Sequence, residues 1–207
     1  ASSFATIDAT LATSAGNTLT LDASNLSAHA ISVDGGSRND NLTASAATGD
    51  VIRGNSGDDQ ITAGTGDSLY GGAGDDSLSG GAGADTLNAG SGSDVLDGGA
   101  GSDDWGDYSA TTGVSVALNG ATVAVATNSL GNDSISNVEH IIGSAGVDVL
   151  RGDDSSVNTL LGNAGDDTLQ VSGANDVLNG GADTSGDTVD FSTSTGVTIT
   201  SLNASGD

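Results

Sequence analysis

Through most of this chain the aliphatic residues arrive singly, nine residues apart, each two places after an aspartate. "GGAGDDSLSGGAGADTLN" (71–88) speaks the nine-residue phrase twice, and the phrase continues on both sides of it. A first block runs through GGSRNDNLT (35–43), SAATGDVIR (45–53), GNSGDDQIT (54–62), a shortened AGTGDSLY (63–70), the quoted pair, AGSGSDVLD (89–97) and GGAGSDDWG (98–106). A second runs through GSAGVDVLR (143–151), a stretched GDDSSVNTLL (152–161), GNAGDDTLQ (162–170), VSGANDVLN (171–179) and an expanded GGADTSGDTV (180–189). The eighth position holds Leu42, Ile52, Ile61, Leu69, Leu78, Leu87, Leu96 and Trp105, then Leu150, Leu160, Leu169, Leu178 and Val189. One apolar side chain in nine matches neither the helical period nor the alternation of an isolated strand. The pattern predicts short strands joined by glycine turns, wound into coils that stack so that single aliphatic side chains form a thin internal column.

Outside the blocks the pattern is of ordinary strands. Leu19, Leu21, Ile31 and Val33 alternate in the leading segment, and Val114, Val116 and Leu118 do so between the blocks. "DYSATTGVSV" (107–116) also aligns without gaps to "DFSTSTGVTI" (190–199), an offset of 83 residues. The expected organisation is a β flank at 1–34 stacking on the first block (35–106), a joint at 107–142, the second block (143–189), and the start of a second connection at 190–207. The cut second copy, and the lack of a leader or initiating Met, predict an excerpt of a longer tandem protein.

Composition sharpens this picture. The 34 glycines are roughly twice the usual share, and Pro, Cys, Met and Lys are missing. Acidic residues number 28 against three arginines (Arg38, Arg53, Arg151), for a net charge of -25, and Glu139 is the only glutamate. Glu would serve solubility equally well, so the choice of Asp points to short carboxylates acting inside turns. The charge repels nucleic acid and anionic membrane surfaces; no apolar run is long enough to span a bilayer. Without Cys there are no disulfides or thiolate sites.

The sixth position is where the acids recur: Asp40, Asp50, Asp59, Asp67, Asp76, Asp85, Asp94 and Asp103, then Asp148, Asp167, Asp176 and Asp187, with Asn158 in one irregular unit. Ordering nine residues costs several times what one buried leucine returns, and each unit adds uncompensated negative charge. A divalent cation answers both problems by neutralising carboxylates and accepting turn carbonyls. Calcium, which takes six to eight hard oxygens at flexible geometry, suits the spacing better than Mg²⁺, and zinc lacks Cys or a His pair. A flexible acidic linker would have no reason to keep an aliphatic residue two places after every Asp.

These units resemble the RTX (repeats-in-toxin) family of calcium-binding nonapeptides, "GGAGDDSLS" and "GGAGADTLN" most closely. The resemblance implies an all-β, right-handed parallel β-roll or β-solenoid with two units per coil and several Ca²⁺ ions held between turns one coil apart. Each ion would take carbonyls of positions two and four and the Asp of the earlier turn, and carbonyls of positions one and three and the Asp of the later one. Carried over, Gly72, Gly74 and Asp76 face Ala89, Ser91 and Asp94. On the other edge Gly81, Gly83 and Asp85 face Gly98, Ala100 and Asp103, with Gly80 and Ala82 in the same turn. Asn55, Gly57 and Asp59 face Gly71, Ala73 and Asp76. In the second block Ser144, Gly146 and Asp148 face Gly162, Ala164 and Asp167, and Asn163 and Gly165 hold the second and fourth positions of the later turn. Asp40, Asp50, Asp67, Asp176 and Asp187 are the remaining acidic candidates. Arg38 and Thr48 replace glycine, and the irregular units carry Asp67, Asn158 and Asp187, so weaker sites are expected there.

No catalytic constellation accompanies Glu139 and His140, which are expected at a surface or joint, so no enzymatic activity is expected. Trp105, Tyr108 and Phe191 are expected to cap the packing. A P-loop is impossible without Lys, and the threonines share no register for an ice-binding face. The resemblance implies a protein exported by bacteria through a type I system, unfolded in the cell and folding on calcium outside. Two roles fit: a structural module of a surface layer or adhesin, or the C-terminal secretion and folding module of an exported hydrolase or toxin. Partners are calcium and, in the first role, copies of the chain or neighbouring domains, with no nucleic acid or membrane insertion.

Overall fold

The computed structural model describes residues 5–8, 18–26, 29–173, 175–182 and 186–192. Most of the expected second connection, 193–207, lies outside the described residues, as does much of the leading flank. Among the described residues every regular element is a strand, and outside the joint successive strands go to opposite sheets. One sheet stacks β1 (Ala5–Asp8), β3 (Ile31–Gly36), β5 (Val51–Ser56), β7 (Ser68–Ala73), β9 (Thr86–Ser91), β11 (Trp105–Asp107), β15 (His140–Ile142), β17 (Thr159–Ala164) and β19 (Val177–Ala182), all parallel. The other contains β2 (Thr20–Asp22), β4 (Asn41–Thr43), β6 (Gln60–Thr62), β8 (Ser77–Ala82) and β10 (Val95–Ala100), and later β16 (Val149–Arg151), β18 (Thr168–Gln170) and β20 (Thr188–Asp190). The result is a β-solenoid of about nine rungs, one nonapeptide for each strand and each turn.

Register explains the period. Leu42, Ile61, Leu78 and Leu96 lie directly over one another in one sheet, and Val33, Ile52, Leu69 and Leu87 do so in the other. All eight are 0–1 % exposed, so the internal space between the sheets is filled by one side chain per strand, with Ile31 of β3 added at the leading end. Seventh and ninth positions point outward, which is why they can be Ser, Thr, Asn or Asp. The absence of proline leaves every ladder donor in place.

At the joint the two sheets part company. The first sheet crosses in a single step, with Trp105 over His140 and Gly106 over Ile141. The second inserts an antiparallel meander of β12 (Val114–Ala117), β13 (Ala124–Asn128) and β14 (Gly131–Ser136) between β10 and β16. The chain therefore runs ahead in β12, which already pairs with β16, returns through β13, and lays β14 parallel on β10.

Two aromatic expectations are corrected here. Unit 98–106 has one more residue in its turn than its neighbours, so Gly106, not Trp105, stands over Leu87 in the internal column. Trp105 faces outward and tilts its ring against His140, 4.7 Å between centroids. Tyr108 is not an end cap but a core residue, 3 % exposed; a side chain on Gly106 would meet Ile135, Ile141 and the Tyr108 ring, which occupy the space that a leucine fills elsewhere. Phe191 is 37 % exposed.

Candidate metal centre

The turns place carbonyl oxygens between coils because of their backbone conformation. In the regular turn 71–76, Gly72 has φ 121° and Gly74 φ 130°, a region L side chains rarely adopt. These torsions tip the Gly72 and Gly74 carbonyls along the solenoid axis, so that a Cβ on Gly90 or Gly92 of the next coil would collide with them. Asn55 and Asn163 reach the same region at the second position, both at φ 76°; Asn is the side-chain-bearing residue that best tolerates it.

Carbonyls also come back from the later coil. The fourth-position N–H donates to the third-position carbonyl one coil on: Gly57 to Ala73 at 2.8 Å, Gly74 to Ser91 at 2.9 Å and Gly83 to Ala100 at 3.0 Å. First-position carbonyls return beside the carboxylates. A Cβ on Gly80 would sit 2.5 Å from Gly98 O and 2.8 Å from Asp85 Oδ2, and one on Gly71 would strike both Ala89 O and Asp76 Oδ2. The first glycine is thus required because the turn's own carboxylate and the next coil's carbonyl share the space a methyl would fill.

The aspartates stand in two columns, one at each edge. Each Oδ1 accepts the backbone N–H of the acid one coil earlier: Asp40 N–H to Asp59 at 2.7 Å, Asp59 to Asp76 at 2.8 Å and Asp76 to Asp94 at 2.7 Å. The second column joins Asp50 to Asp67, Asp67 to Asp85 and Asp85 to Asp104 at 2.7–2.9 Å. In the second block Asp148 donates to Asp167 and Asp167 to Asp187, at 2.8 and 2.9 Å. The other oxygen is a different matter. Oδ2 of Asp40, Asp59, Asp76, Asp85, Asp94, Asp104 and Asp167 is buried with no hydrogen-bond partner.

Protein cations do not reach these oxygens. Among the described residues the ion pairs are Arg151–Asp154 and His140–Asp103, while the Arg53 guanidinium lies over the Tyr70 ring. Burial therefore pushes the carboxyls up: Asp59, Asp85, Asp94 and Asp167 to about 6 and Asp76 to about 7. For Asp76 the neighbouring Asp59 and Asp94 carboxylates add to the effect, and the hydrogen bond from Asp59 partly offsets it. Asp104 and Asp133 are raised by burial too. A buried carboxylate oxygen lacking a partner, surrounded by axial carbonyls, fits a hard cation. Among the described residues no three His, Cys, Asp or Glu side chains are placed to hold one metal ion between them, so a site would take carbonyls as its other donors. Asn55, Gly57, Asp59 with Gly71, Ala73, Asp76 would hold one ion. Gly72, Gly74, Asp76 with Ala89, Ser91, Asp94 would hold another. Bound there, calcium supplies the positive charge the columns lack and ties one coil to the next.

Some expected ligands are arranged otherwise. Asp103 is outside the column: its side chain is 72 % exposed and reaches His140 Nε2 at 2.9 Å. The extra residue in that turn moves Asp104 into the column, so the set on this edge is Gly81, Gly83, Asp85 with Gly98, Ala100, Asp104. In four turns the second oxygen is satisfied from within. Ser45 gives both its N–H and hydroxyl to Asp50 at 2.7 Å; Gly64 and Thr65 N–H serve Asp67 at 2.9 and 3.1 Å. Ser144 N–H donates to Asp148 at 2.7 Å, and Ser172 N–H and hydroxyl to Asp176 at 3.1 and 2.5 Å. The Ser144, Gly146, Asp148 turn accordingly lacks the open oxygen that its neighbour Asp167 keeps. Asn158 gives its amide to Glu139 O at 2.8 Å. Asp40 retains its open oxygen despite Arg38 at the fourth position.

Sequence reasoning missed three column members: Asp104, Asp133 and Glu139. Asp133 Oδ1 accepts Asp94 N–H and Glu139 Oε2 accepts Asp104 N–H, both at 3.1 Å. A signal for Asp104 was present in the doublets: in Asp58-Asp59, Asp75-Asp76 and Asp166-Asp167 the second aspartate is the buried one.

The comparison with curated proteins found no match. A family model described as the RTX calcium-binding nonapeptide repeat matches in four copies, over residues 34–69, 70–104, 136–156 and 154–185. These segments hold the column aspartates from Asp40 to Asp104 and from Asp148 to Asp176, and they cover more than half the sequence. The chain belongs to the RTX calcium-binding nonapeptide repeat family, and its β-solenoid binds several calcium ions.

Proposed function

We propose that this chain is a non-catalytic structural module of an exported bacterial surface protein, of the surface-layer or adhesin kind, that folds and stiffens on meeting calcium outside the cell. The row of seven partnerless carboxylate oxygens supports this reading most strongly, because it makes the stacking of coils depend on the ion. RTX repeats are typical of secreted proteins, and no helix among the described residues is long and apolar enough to cross a membrane. The 83-residue duplication favours a tandem structural array over a single terminal secretion module.

The test is the free calcium concentration at which the chain becomes resistant to protease. A midpoint of about 10⁻⁴–10⁻³ M, the range of extracellular calcium modules, agrees with folding after export. A midpoint below about 10⁻⁷ M, tight enough to load inside a cell, contradicts it.

A further inference from the structure

We propose that the joint contains one more divalent-cation site, between the turn 89–94 and a turn at 128–133 that belongs to a hidden nonapeptide. It rests on the calcium reading above, but its later turn lies in a segment, 105–135, that the family model leaves unmatched. Strand β14 pairs with β10 so that Ser134 lies over Val95 and Ile135 over Leu96. With that register, "NSLGNDSIS" (128–136) has glycine fourth, aspartate sixth and an aliphatic residue eighth. Ile135 is 1 % exposed and continues the internal column.

The turn is the tip of the β13–β14 hairpin, yet three of its contacts with the preceding coil match those between regular coils. Gly92 N–H donates to Leu130 O at 3.1 Å, as Gly74 N–H does to Ser91 O. A Cβ on Gly131 would collide with Gly92 O, as one on Gly92 would with Gly74 O. Ser134 N–H donates to Asp94 O at 2.7 Å, matching Val95 to Asp76 O at 2.8 Å. Asp133, 1 % exposed, receives Asp94 N–H on Oδ1, and Asp94, 2 % exposed, keeps Oδ2 without a partner.

The donors are then the Gly90 and Gly92 carbonyls, the Asp94 and Asp133 carboxylates, and the returning Leu130 carbonyl, an all-oxygen set of the calcium class that water completes. Asn128 closes the column. Its Oδ1 accepts Leu130 and Gly131 N–H at 2.7 and 3.1 Å, and its Nδ2 donates to Asp133 Oδ2 at 2.9 Å. Asp133 needs no ion ahead of it, which is consistent with the antiparallel β13 that follows in the sheet. The ion clasps the returning limb of the meander to the end of the first block.

The test counts calcium by elemental analysis in the purified, loaded chain. Asp133→Asn is expected to lose one ion per chain and keep the rest, while Asp107→Asn, which removes a carboxylate bonded only to Ser109 N–H, keeps the full count. An unchanged count in Asp133→Asn overturns the proposal; a wild-type chain that binds no calcium overturns instead the reading beneath it. Should Asp133→Asn not fold, Tyr108 provides a second measurement, since Asp133 and Asp94 are its charged neighbours. In the terbium-loaded protein, Tyr108→Phe is expected to cut tyrosine-sensitised emission severalfold at constant ion count. Unchanged emission overturns the proposal.

Discussion

Acid is expected to replace calcium as a way of holding this fold. In the metal-free folded chain, burial raises the carboxyls of Asp59, Asp85, Asp94 and Asp167 to about 6 and that of Asp76 to about 7, from an ordinary 3.8. A raised carboxyl favours the folded state only while it is protonated. The stabilisation is therefore complete below about pH 4 and is lost as pH climbs through 6 to 7. A tenfold change in a carboxyl's proton affinity corresponds to about 1.4 kcal/mol; discounted for water near the turns, each carboxyl contributes roughly 1 kcal/mol. Five of them amount to about 5 kcal/mol, the size of a small domain's entire stability. Far-UV circular dichroism of chain stripped of metal is expected to show strand at about pH 5 and its loss by about pH 7.5, with a midpoint near 6. At millimolar calcium the signal stays flat over the same range. A metal-free signal independent of pH, or strand gained as pH rises, would refute the reasoning.

Two substitutions separate backbone conformation from crowding. Gly49→Ala, at φ 86° with nothing within 4 Å of the new methyl, is expected to cost only the strain of that torsion, about 1–2 kcal/mol; Gly72→Ala adds a collision with Asn55 O and is expected to cost more than about 3 kcal/mol and weaken calcium binding, both read by calcium-saturated thermal unfolding. Leu87→Ala, at 0 % exposure, is expected to lower stability by about 2–5 kcal/mol in urea titrations without changing the number of ions bound.

What the sequence made legible was the part governed by local repetition. A nine-residue period with one aliphatic position forces Leu42, Ile61, Leu78 and Leu96 into register, and the positive-φ glycines at 72 and 74 announce the turns. Trp105 was misplaced because a single added residue before Asp104 shifts everything after it by one, and only pairing with β9 shows which residue faces inward. The hidden unit at 128–136 escaped because its first three residues, Asn128, Ser129 and Leu130, look nothing like Gly-Gly-x. Its Gly131, Asp133 and Ile135 alone fall in phase. The difference between Asp59, left open, and Asp50, closed by Ser45, also depends on a contact: a serine at the first position is read as an ordinary glycine replacement until its hydroxyl is seen on the carboxylate.

The central claim is that calcium in the aspartate columns, and not the single-file core, holds the rungs together. Small-angle scattering at about pH 7.5, where these carboxyls are ionised, tests it most directly on chain freed of all bound cation. The account predicts an expanded, unfolded chain that contracts to a rod when calcium is restored and does not do so with magnesium. A rod of the same dimensions in the verified absence of metal would contradict it.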